Sequence, residues 1–423
     1  MTTNTAANTA ANTPANTPVG TPLSAGTTAG AGAEARSPAS ARSRASRRQT
    51  MVQVALYAAV CAGIFVLPLG LDDFLLNKLA RYLVLGMLAM ALALSWGYAG
   101  ILNLGQALSF GLGSYCMAMT LKLRTVPVHT GPEGLPDFMV WNNVQELPWF
   151  WVPFHSTAFA LAAGILIPVG LTMLLGWFIF RGRVTGVYTA IITLAALVVV
   201  NLLIVDQQRY TGGFNGITDL AQLSLFGVEF DAYSSSTYYL VASCLTAALF
   251  LALTFTRSKA GLILQAIRDH EERVRYFGYD VAHYKIAALA VSAAIAGVAG
   301  MLYTVVMEFA SPTFLGVQLS LSVVIWCAVG GRSSLLGAVL GAVLVAGMQG
   351  MLSESETFID TWTLVMGAMF VLVVLFLPKG LAGLVDMVAA RTAARLFPRR
   401  REAAFAPPPS TAAGAGGSGK EAA

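Results

Sequence analysis

Long apolar segments recur along most of the chain, and no other feature limits its possible folds as strongly. They run from residue 51 to residue 378, and several approach the roughly 20 residues that an α-helix needs to cross a bilayer. Charged residues make up only 11% of the sequence, whereas soluble domains carry about 25%. Because lipid offers no hydrogen bonds to the backbone, such runs predict an all-α, polytopic membrane protein.

The apolar runs divide into ten predicted transmembrane helices. Their approximate ranges are 51–70, 79–98, 103–121, 157–180, 186–205, 237–256, 286–308, 317–331, 333–352 and 361–378. Lys and Arg concentrate in loops 181–185 and 257–285, and acidic residues in loops 206–236 and 353–360. Since basic loops stay in the cytoplasm, about ten spans with both termini cytoplasmic place every basic loop on that side.

The two ends of the chain differ in composition from the apolar region. Residues 1–50 are rich in Thr, Ala, Asn and Pro and end in an Arg-rich stretch, which predicts a disordered, basic cytoplasmic tail. Residues 387–423 are basic and then low in complexity, and predict a second cytoplasmic tail. The region between them, 51–386, is the predicted transmembrane domain.

No catalytic or metal-binding pattern is present in the sequence. It has no phosphate-binding G-x-x-x-x-G-K-[ST] motif and no G-x-S-x-G motif, and HEERV at 270 lacks the second His of a zinc-binding helix. The four cysteines fall in apolar segments and are expected to be small packing residues. We therefore expect no enzyme activity, no metal, no cofactor bound by this chain and no nucleic-acid partner.

The apolar segments also contain almost no acidic residues, Glu308 at a span end being the exception. A proton- or sodium-driven carrier usually keeps a buried carboxylate along its path. This argues against a secondary carrier and places the energy source on another subunit.

Loop 257–285 carries ten charged residues. One helical face within it collects the apolar residues Ile263, Ile267, Val274 and Phe277. Gly278 is a natural helix stop and Asp280 can cap the next helix. An amphipathic helix of this kind is either an interfacial anchor or a docking helix for a soluble protein, and charges of both signs favour docking.

Gly-rich stretches inside the membrane segments carry polar side chains. GYAGILNLGQALSFGLGSY, residues 97–115, contains Asn103 and Gln106, and 98–106 is compatible with a broken or re-entrant segment. Such glycines indicate close helix packing, or helix breaks that line a pathway.

The motifs together resemble the permeases of ATP-binding cassette importers of the branched-chain amino acid and urea type. The resemblance rests on SKAGLILQAIRDHEERVRYFGYDVAHYKIAALAVSAAIAGVAG, on residues 97–115, on TGGFNGIT and on VIWCAVGGRSSLLGAVLGA followed by LPKGLAGL. It covers about 51–386 and implies ATP-driven import with ATP used by partner subunits. The partners it implies are a second homologous permease, two ATPase subunits and a periplasmic solute-binding protein, in the lipid of the inner membrane.

Within this family, segment 135–154 resembles the larger permease subunit of urea transporters, so urea or a short-chain amide is the expected solute. Gln106 and Ser322 depart from the urea-type pattern, and branched-chain amino acids are the alternative. A small uncharged amide needs paired donors and acceptors beside an apolar wall. The side chains expected along the pathway are Asn103, Gln106, Asn215 and Trp326.

The resemblance also implies that loop 257–285 couples the permease to its ATPase. We expect the stripe of Ile263, Ile267 and Phe277 to pack on the ATPase or on the membrane-facing scaffold. Charge pairs made by Arg268, Asp269 and Glu271 would set the register. Gly278 would let the chain turn so that motion of the docked helix reaches the seventh span.

Overall fold

The computed structural model describes Ala55, residues 57–125, 134–225 and 227–353, and eight separate positions between 364 and 383. The chain divides into two units, and apart from Ala55 the described residues belong to the second, Tyr57–Ala423. The predicted tails 1–50 and 387–423 lie outside the described residues.

Helices account for most of the described chain. They are α1 (Tyr57–Gly70), α2 (Asp73–Ala93), α3 (Gln106–Thr125), α4 (Asp137–Trp141), α5 (Thr157–Arg181), α6 (Val187–Asp206), α7 (Gln208–Thr211), α8 (Ser235–Arg257), α9 (Lys259–Tyr276), α10 (Val281–Met307), α11 (Val317–Gly330) and α12 (Leu335–Ser353). A π-helical turn, Leu94–Tyr98, continues α2. The expectation of an all-α chain needs one correction, since β1 (Leu223–Leu225) and β2 (Val228–Phe230) form an antiparallel hairpin.

Six of the described helices are long and apolar enough to cross a membrane. They are α2 with its π-helical turn, α5, α6, α8, α10 and α12. Helix α3 has 20 residues but is more polar, and α1 and α11 are shorter apolar helices. The tenth predicted span, 361–378, lies outside the described residues except for isolated positions. The count of ten spans and the cytoplasmic termini therefore stay predictions.

Helix α10 lies at the centre of the bundle and packs most extensively on α3 and α5. Glycines permit this approach. A Cβ on Gly300 of α10 would lie 1.8 Å from the carbonyl oxygen of Phe110 in α3, and one on Gly297 would lie 2.5 Å from that of Gly164 in α5. Small residues let membrane helices come into backbone contact, so these glycines position the polar groups that α3 and α10 share.

Two breaks in the helices meet at one end of the bundle. The first is residues 99–105 between α2 and α3, and the second is residues 331–334 between α11 and α12. A Cβ on Gly97 would lie 1.7 Å from the carbonyl oxygen of Arg332, and the Arg332 guanidinium lies 5.6 Å from the ring centre of Trp96. The predicted break near 98–106 is therefore present, and the π-helical turn directly before it packs on the second break.

Helices α5 and α6 lie on the outside of the bundle. In the most apolar 18-residue stretch of each helix, 28% of α5 and 22% of α6 is buried inside the protein, against 72% of α2. Their exposed side chains are large and apolar, including Leu166, Trp177 and Ile191. This composition is typical of a lipid-facing surface rather than of a helix–helix contact, which favours small residues.

Candidate functional site

The first candidate region is the segment that links α8, α9 and α10. The Ser258 hydroxyl caps α9 by accepting a hydrogen bond from the Gly261 backbone N–H at 3.3 Å. Gly278 follows α9 with φ of +84°, a left-handed conformation that stops the helix at little cost for glycine. Asp280 then caps α10 by accepting from the N–H groups of Ala282 and His283 at 3.1 and 3.4 Å. The predicted helix stop and helix cap are both confirmed.

Helix α9 does not keep one apolar stripe along its length. Its backbone leaves helical geometry at His270, where φ is −151° and ψ is 82°. Before this kink, Ile267 is buried and Ile263 packs partly buried against the main core of the same chain. Val274, beyond the kink, is buried in the same core, whereas Phe277 at the end of the helix is 81% exposed and does not pack on the scaffold. Its packing on an ATPase stays a prediction.

The charged side chains of α9 hold it to its own scaffold. Glu271 accepts from Lys285 of α10 at 2.7 Å and from Arg275 at 2.9 Å. Arg268 donates to the carbonyl oxygen of Gly97 at 2.5 Å and to Asp269 at 3.1 Å. Two side chains expected to pair with an ATPase, Arg268 and Glu271, thus already have partners in this chain, while the Asp269 side chain is 62% exposed.

The N-cap of α10 is electrostatically stabilised. Partial burial acts to raise the pKa of the Asp280 carboxyl, but hydrogen bonds from the side chain and backbone of His283 outweigh it and lower the pKa below its ordinary value. The positive charges of His283 and Arg181 act in the same direction. The ionised carboxylate therefore keeps the start of α10 closed onto the turn after α9.

The second candidate region is a buried polar network at the start of α3. Asn103 donates to the Gln106 side-chain oxygen at 2.9 Å, and Gln106 donates to the Ser292 hydroxyl of α10 at 3.1 Å. Ser292 donates in turn to the carbonyl oxygen of Ala91 in α2 at 2.6 Å. Gln106 is fully buried, so this network ties α2, α3 and α10 together.

A small cavity of about 10 Å³ lies beside Asn103. Its lining combines polar and aliphatic side chains: Thr172 and Thr193, and Leu108, Leu175, Ile179 and Leu289. A volume of this size holds about one water molecule. In this conformation the cavity is therefore too small for urea or for an amino acid, and passage of either requires the helices to separate.

The structure brings together two of the four predicted pathway residues. Asn103 and Gln106 are hydrogen-bonded partners. Trp326 is buried in the main core on α11, and Asn215 is exposed in a turn of the loop between α6 and α8. Among the described residues, no hydrogen bond joins Trp326 or Asn215 to the Gln106 network. Their shared role on one pathway stays a prediction.

Comparison with known families decides the class of protein. The model of the family described as branched-chain amino acid transport system, permease component, matches residues 74–374, which is well over half of the chain. The chain belongs to this permease family. The residues matched by the family model extend from α2 past α12, so both candidate regions lie inside the family domain.

Individual relatives of the permease agree with the family match. It is 28% identical over 325 residues to the high-affinity branched-chain amino acid transport system permease protein LivM of Salmonella typhimurium, covering 71% of this chain and 67% of the relative. It is 27% identical over 354 residues to LivM of Escherichia coli, covering 78% and 73%. A probable LivM of Methanocaldococcus jannaschii is 25% identical over 267 residues, covering 61% and 75%. No solved structure matches the permease.

These relatives are transport subunits rather than enzymes, and with its apolar helices the permease is a multi-pass inner-membrane protein. Within the described part of the chain, no group of three or more His, Cys, Asp or Glu side chains comes together. The sequence reasoning missed Ser292, Lys285 and Arg332, which join distant segments. Ser292 and Arg332 contact residues far away in the chain, and Lys285 pairs across a helix boundary with Glu271, 14 positions before it, so no local pattern marks them.

Proposed function

We propose that this permease carries branched-chain amino acids as the membrane subunit of an ATP-binding cassette importer, the alternative that the sequence left open. The observation that carries the proposal is the family match over residues 74–374, together with LivM relatives that cover most of the chain. The motif resemblance in loop 257–285 lies within the matched range and agrees with the ATP-driven class. The missing intramembrane carboxylates argue against a secondary carrier.

The geometry near Gln106 supports an amino acid as solute. Helix α3 begins at Gln106, directly after the break at 99–105, inside the bundle. A helix N-terminus presents free backbone N–H groups and a partial positive charge, which favour a carboxylate. The aliphatic wall beside Asn103 suits a branched side chain once the cavity widens. An uncharged solute such as urea gains less from the helix N-terminus.

Urea is the second candidate, and segment 135–154 is the observation that favours it. This segment forms α4 and an aromatic cluster in which the Trp151 ring N–H donates to the carbonyl oxygen of Tyr210 at 2.9 Å. Trp141 and Trp149 of the same segment are exposed. They suit either an interfacial aromatic belt or docking of a solute-binding protein.

One uptake experiment separates the two solutes. A strain that lacks this gene would be supplied with micromolar labelled leucine, valine or urea, with and without the gene restored. We expect leucine and valine uptake to depend on the gene and urea uptake to be unchanged. Loss of urea uptake alone would overturn the proposal in favour of urea, and uptake that persists without any ATPase subunit would overturn the ATP-driven class.

We also propose the partners that this class implies: a second homologous permease, two ATPase subunits and a periplasmic binding protein. Helix α9 is the proposed ATPase contact because Tyr276 and Phe277 at its end are 87% and 81% exposed, beside the exposed charges of Asp269 and Glu272. Exposed aromatic side chains are common anchors at protein interfaces. Affinity purification of the tagged permease from its native membranes should recover both ATPases, and recovery of the permease alone would count against this assignment.

A further inference from the structure

A cleft of about 290 Å³ opens at the end of the bundle where α9 lies. Its walls come from the turn between α5 and α6, from α9 and from the first turn of α10. The charged side chains that line it are Arg181, Arg183, Glu271, Arg275, Asp280 and Lys285. Glu271, Asp280 and Lys285 belong to the segment that links α9 and α10, whereas Arg181 and Arg183 come from the turn between α5 and α6.

The cleft is electropositive. Its lining has four basic and two acidic side chains, so the net charge is +2 with all six ionised. Glu271 is shared by Lys285 and Arg275, and Asp280 is engaged by His283. Arg181 and Arg183 form no ion pair with any described residue, so two guanidinium groups at the rim remain available to an anion. Guanidinium groups bind phosphate oxygens in paired hydrogen bonds.

The position of the cleft points to the membrane. It lies directly at the ends of α5 and α6, the two spans that are most exposed around the bundle. Trp177, near the end of α5, is 50% exposed, and Tyr188, at the start of α6, is 71% exposed. Amphipathic aromatic rings of this kind lie at headgroup level in a bilayer, and arginines at span ends extend to the same depth.

We propose that this cleft binds the phosphate of an anionic phospholipid headgroup, with Arg181 and Arg183 as its main contacts. The acyl chains would lie along the exposed apolar surfaces of α5 and α6. Basic clefts between membrane helices on the cytoplasmic side are suited to such headgroups. The assignment of this cleft to the cytoplasmic side of the membrane rests on the proposed function. A bound lipid would touch α9 as well, and would therefore brace the segment proposed to receive the ATPase.

Lipid retention by the purified permease tests the proposal without ATPase or solute. The full chain in neutral detergent micelles would receive phosphatidylglycerol, phosphatidylcholine or inorganic phosphate at constant ionic strength, and retained lipid would be counted by native mass spectrometry. We expect phosphatidylglycerol to be retained about tenfold over phosphatidylcholine, since each basic residue near an anionic lipid strengthens binding severalfold. The Arg181→Gln, Arg183→Gln double variant should lose this preference.

Two matched variants make the result interpretable. Arg181→Lys with Arg183→Lys retains the charge and should keep most of the preference. Arg124→Gln with Arg209→Gln removes the same charge away from the cleft and should keep all of it. Retention of the preference by the Arg181→Gln, Arg183→Gln variant would overturn the proposal. Complete displacement of phosphatidylglycerol by equimolar inorganic phosphate would overturn the lipid assignment in favour of a soluble anion. A failed uptake experiment leaves this test readable, because lipid retention needs no transport.

Discussion

Gln106 is the centre of a buried network that joins three helices, because Ser292 continues it to the Ala91 carbonyl oxygen of α2. It accepts from Asn103 and donates to Ser292, and it has no exposure to solvent. Removal of one member of a buried network leaves the others without partners, at about 1–3 kcal/mol. The same network lies beside the cavity through which the solute is proposed to pass.

Gln106→Leu is therefore expected to lower both uptake and the free energy of unfolding. The leucine side chain has a similar volume but no hydrogen bonds, so Asn103 and Ser292 lose a partner in the apolar interior. Initial uptake rates and thermal unfolding in detergent would be measured together. Gln318→Leu on α11 provides the control. The Ser322 hydroxyl donates to the backbone carbonyl oxygen of Gln318, and the substitution leaves that oxygen in place. Wild-type uptake by Gln106→Leu would remove Gln106 from the pathway.

Gly300 shows how far close packing limits substitution. Its missing Cβ would lie 1.8 Å from the carbonyl oxygen of Phe110, which is backbone and has little room to move. Gly300→Ala should force α3 and α10 apart and destabilise the permease by about 1–3 kcal/mol.

Thermal unfolding and the yield of folded protein would measure this effect. Gly170→Ala is the matched control, because Gly170 lies within α5 and a Cβ added there would have no atom within 4 Å. There alanine should be neutral or slightly stabilising. Equal stability of the two variants would contradict the close approach of α3 and α10.

Asp280 makes the start of α10 sensitive to acid. Its pKa in the folded protein lies below the ordinary value, so the carboxylate contributes stability above that value and loses it as the pH falls through the folded pKa. Hydrogen exchange of the first turn of α10 would be compared between pH 7 and pH 3 in the wild type and in Asp280→Asn. Asparagine keeps the helix cap without titrating. We expect acid to weaken protection in the wild type more than in the variant, and an equal response in both would contradict the assignment.

At the scale of elements, α9 is a helix clamped on one side and exposed on the other. Ile267 and the ion pair of Glu271 with Lys285 hold it to the bundle, while Tyr276 and Phe277 are exposed at its end. Arg268 connects α9 to the break after α2 through the carbonyl oxygen of Gly97. Displacement of α9 by a partner would therefore act directly on the two breaks that meet at Gly97 and Arg332.

Gly278→Val is expected to uncouple ATP hydrolysis from uptake, or to release the ATPase, without loss of membrane insertion. A Cβ added at Gly278 would have no atom within 4 Å, so the effect comes from backbone strain: φ is +84°, which a β-branched residue tolerates poorly. Gly278→Asn is the control, since asparagine is accepted in this conformation. Co-purification of the ATPase and solute-stimulated hydrolysis in reconstituted membranes would measure the outcome.

A double charge reversal at Arg268 and Asp269 tests the same element from another side. It removes the bond to the Gly97 carbonyl oxygen and reverses the charges that α9 presents. We expect loss of stimulated hydrolysis together with loss of uptake. Wild-type hydrolysis and uptake in both this variant and Gly278→Val would leave α9 as an interfacial anchor only.

At the scale of the whole molecule, charge separates the two ends of the bundle. The end that carries α9 and the turn between α5 and α6 is rich in Lys and Arg, and the opposite end carries the acidic loop 206–236. With the proposed cytoplasmic termini, α9 lies inside the cell and α4 outside. Single cysteines test this orientation once the four native cysteines, all free, are replaced by alanine.

Gln145→Cys, next to α4, should react with a membrane-impermeant maleimide in intact spheroplasts. Glu272→Cys on α9 should react only in inside-out vesicles, because the bilayer shields the cytoplasmic side from the reagent. Both positions are exposed in the structure, so lack of labelling cannot come from burial. The reverse pattern would contradict the orientation and, with it, the position of the proposed ATPase contact.

The sequence by itself determined the features that depend on neighbouring residues. The apolar runs predicted the helices that became α2, α5, α6, α8, α10 and α12, and the Gly278 and Asp280 pattern predicted where α9 stops and α10 begins. These features follow from local length, periodicity and capping, which need no knowledge of the fold. The motifs of the family added the class of transporter in the same way.

Only the tertiary structure decided what the polar residues contact. Gln106 and Ser292 are 186 positions apart, and Gly97 and Arg268 are 171 apart, so no periodicity relates them. Phe277 is exposed while Ile267 and Val274 on the same predicted face are buried, which the periodicity of the sequence does not distinguish. Such contacts arise because glycines bring α3, α5 and α10 into backbone contact, and that packing selects which buried polar groups satisfy one another.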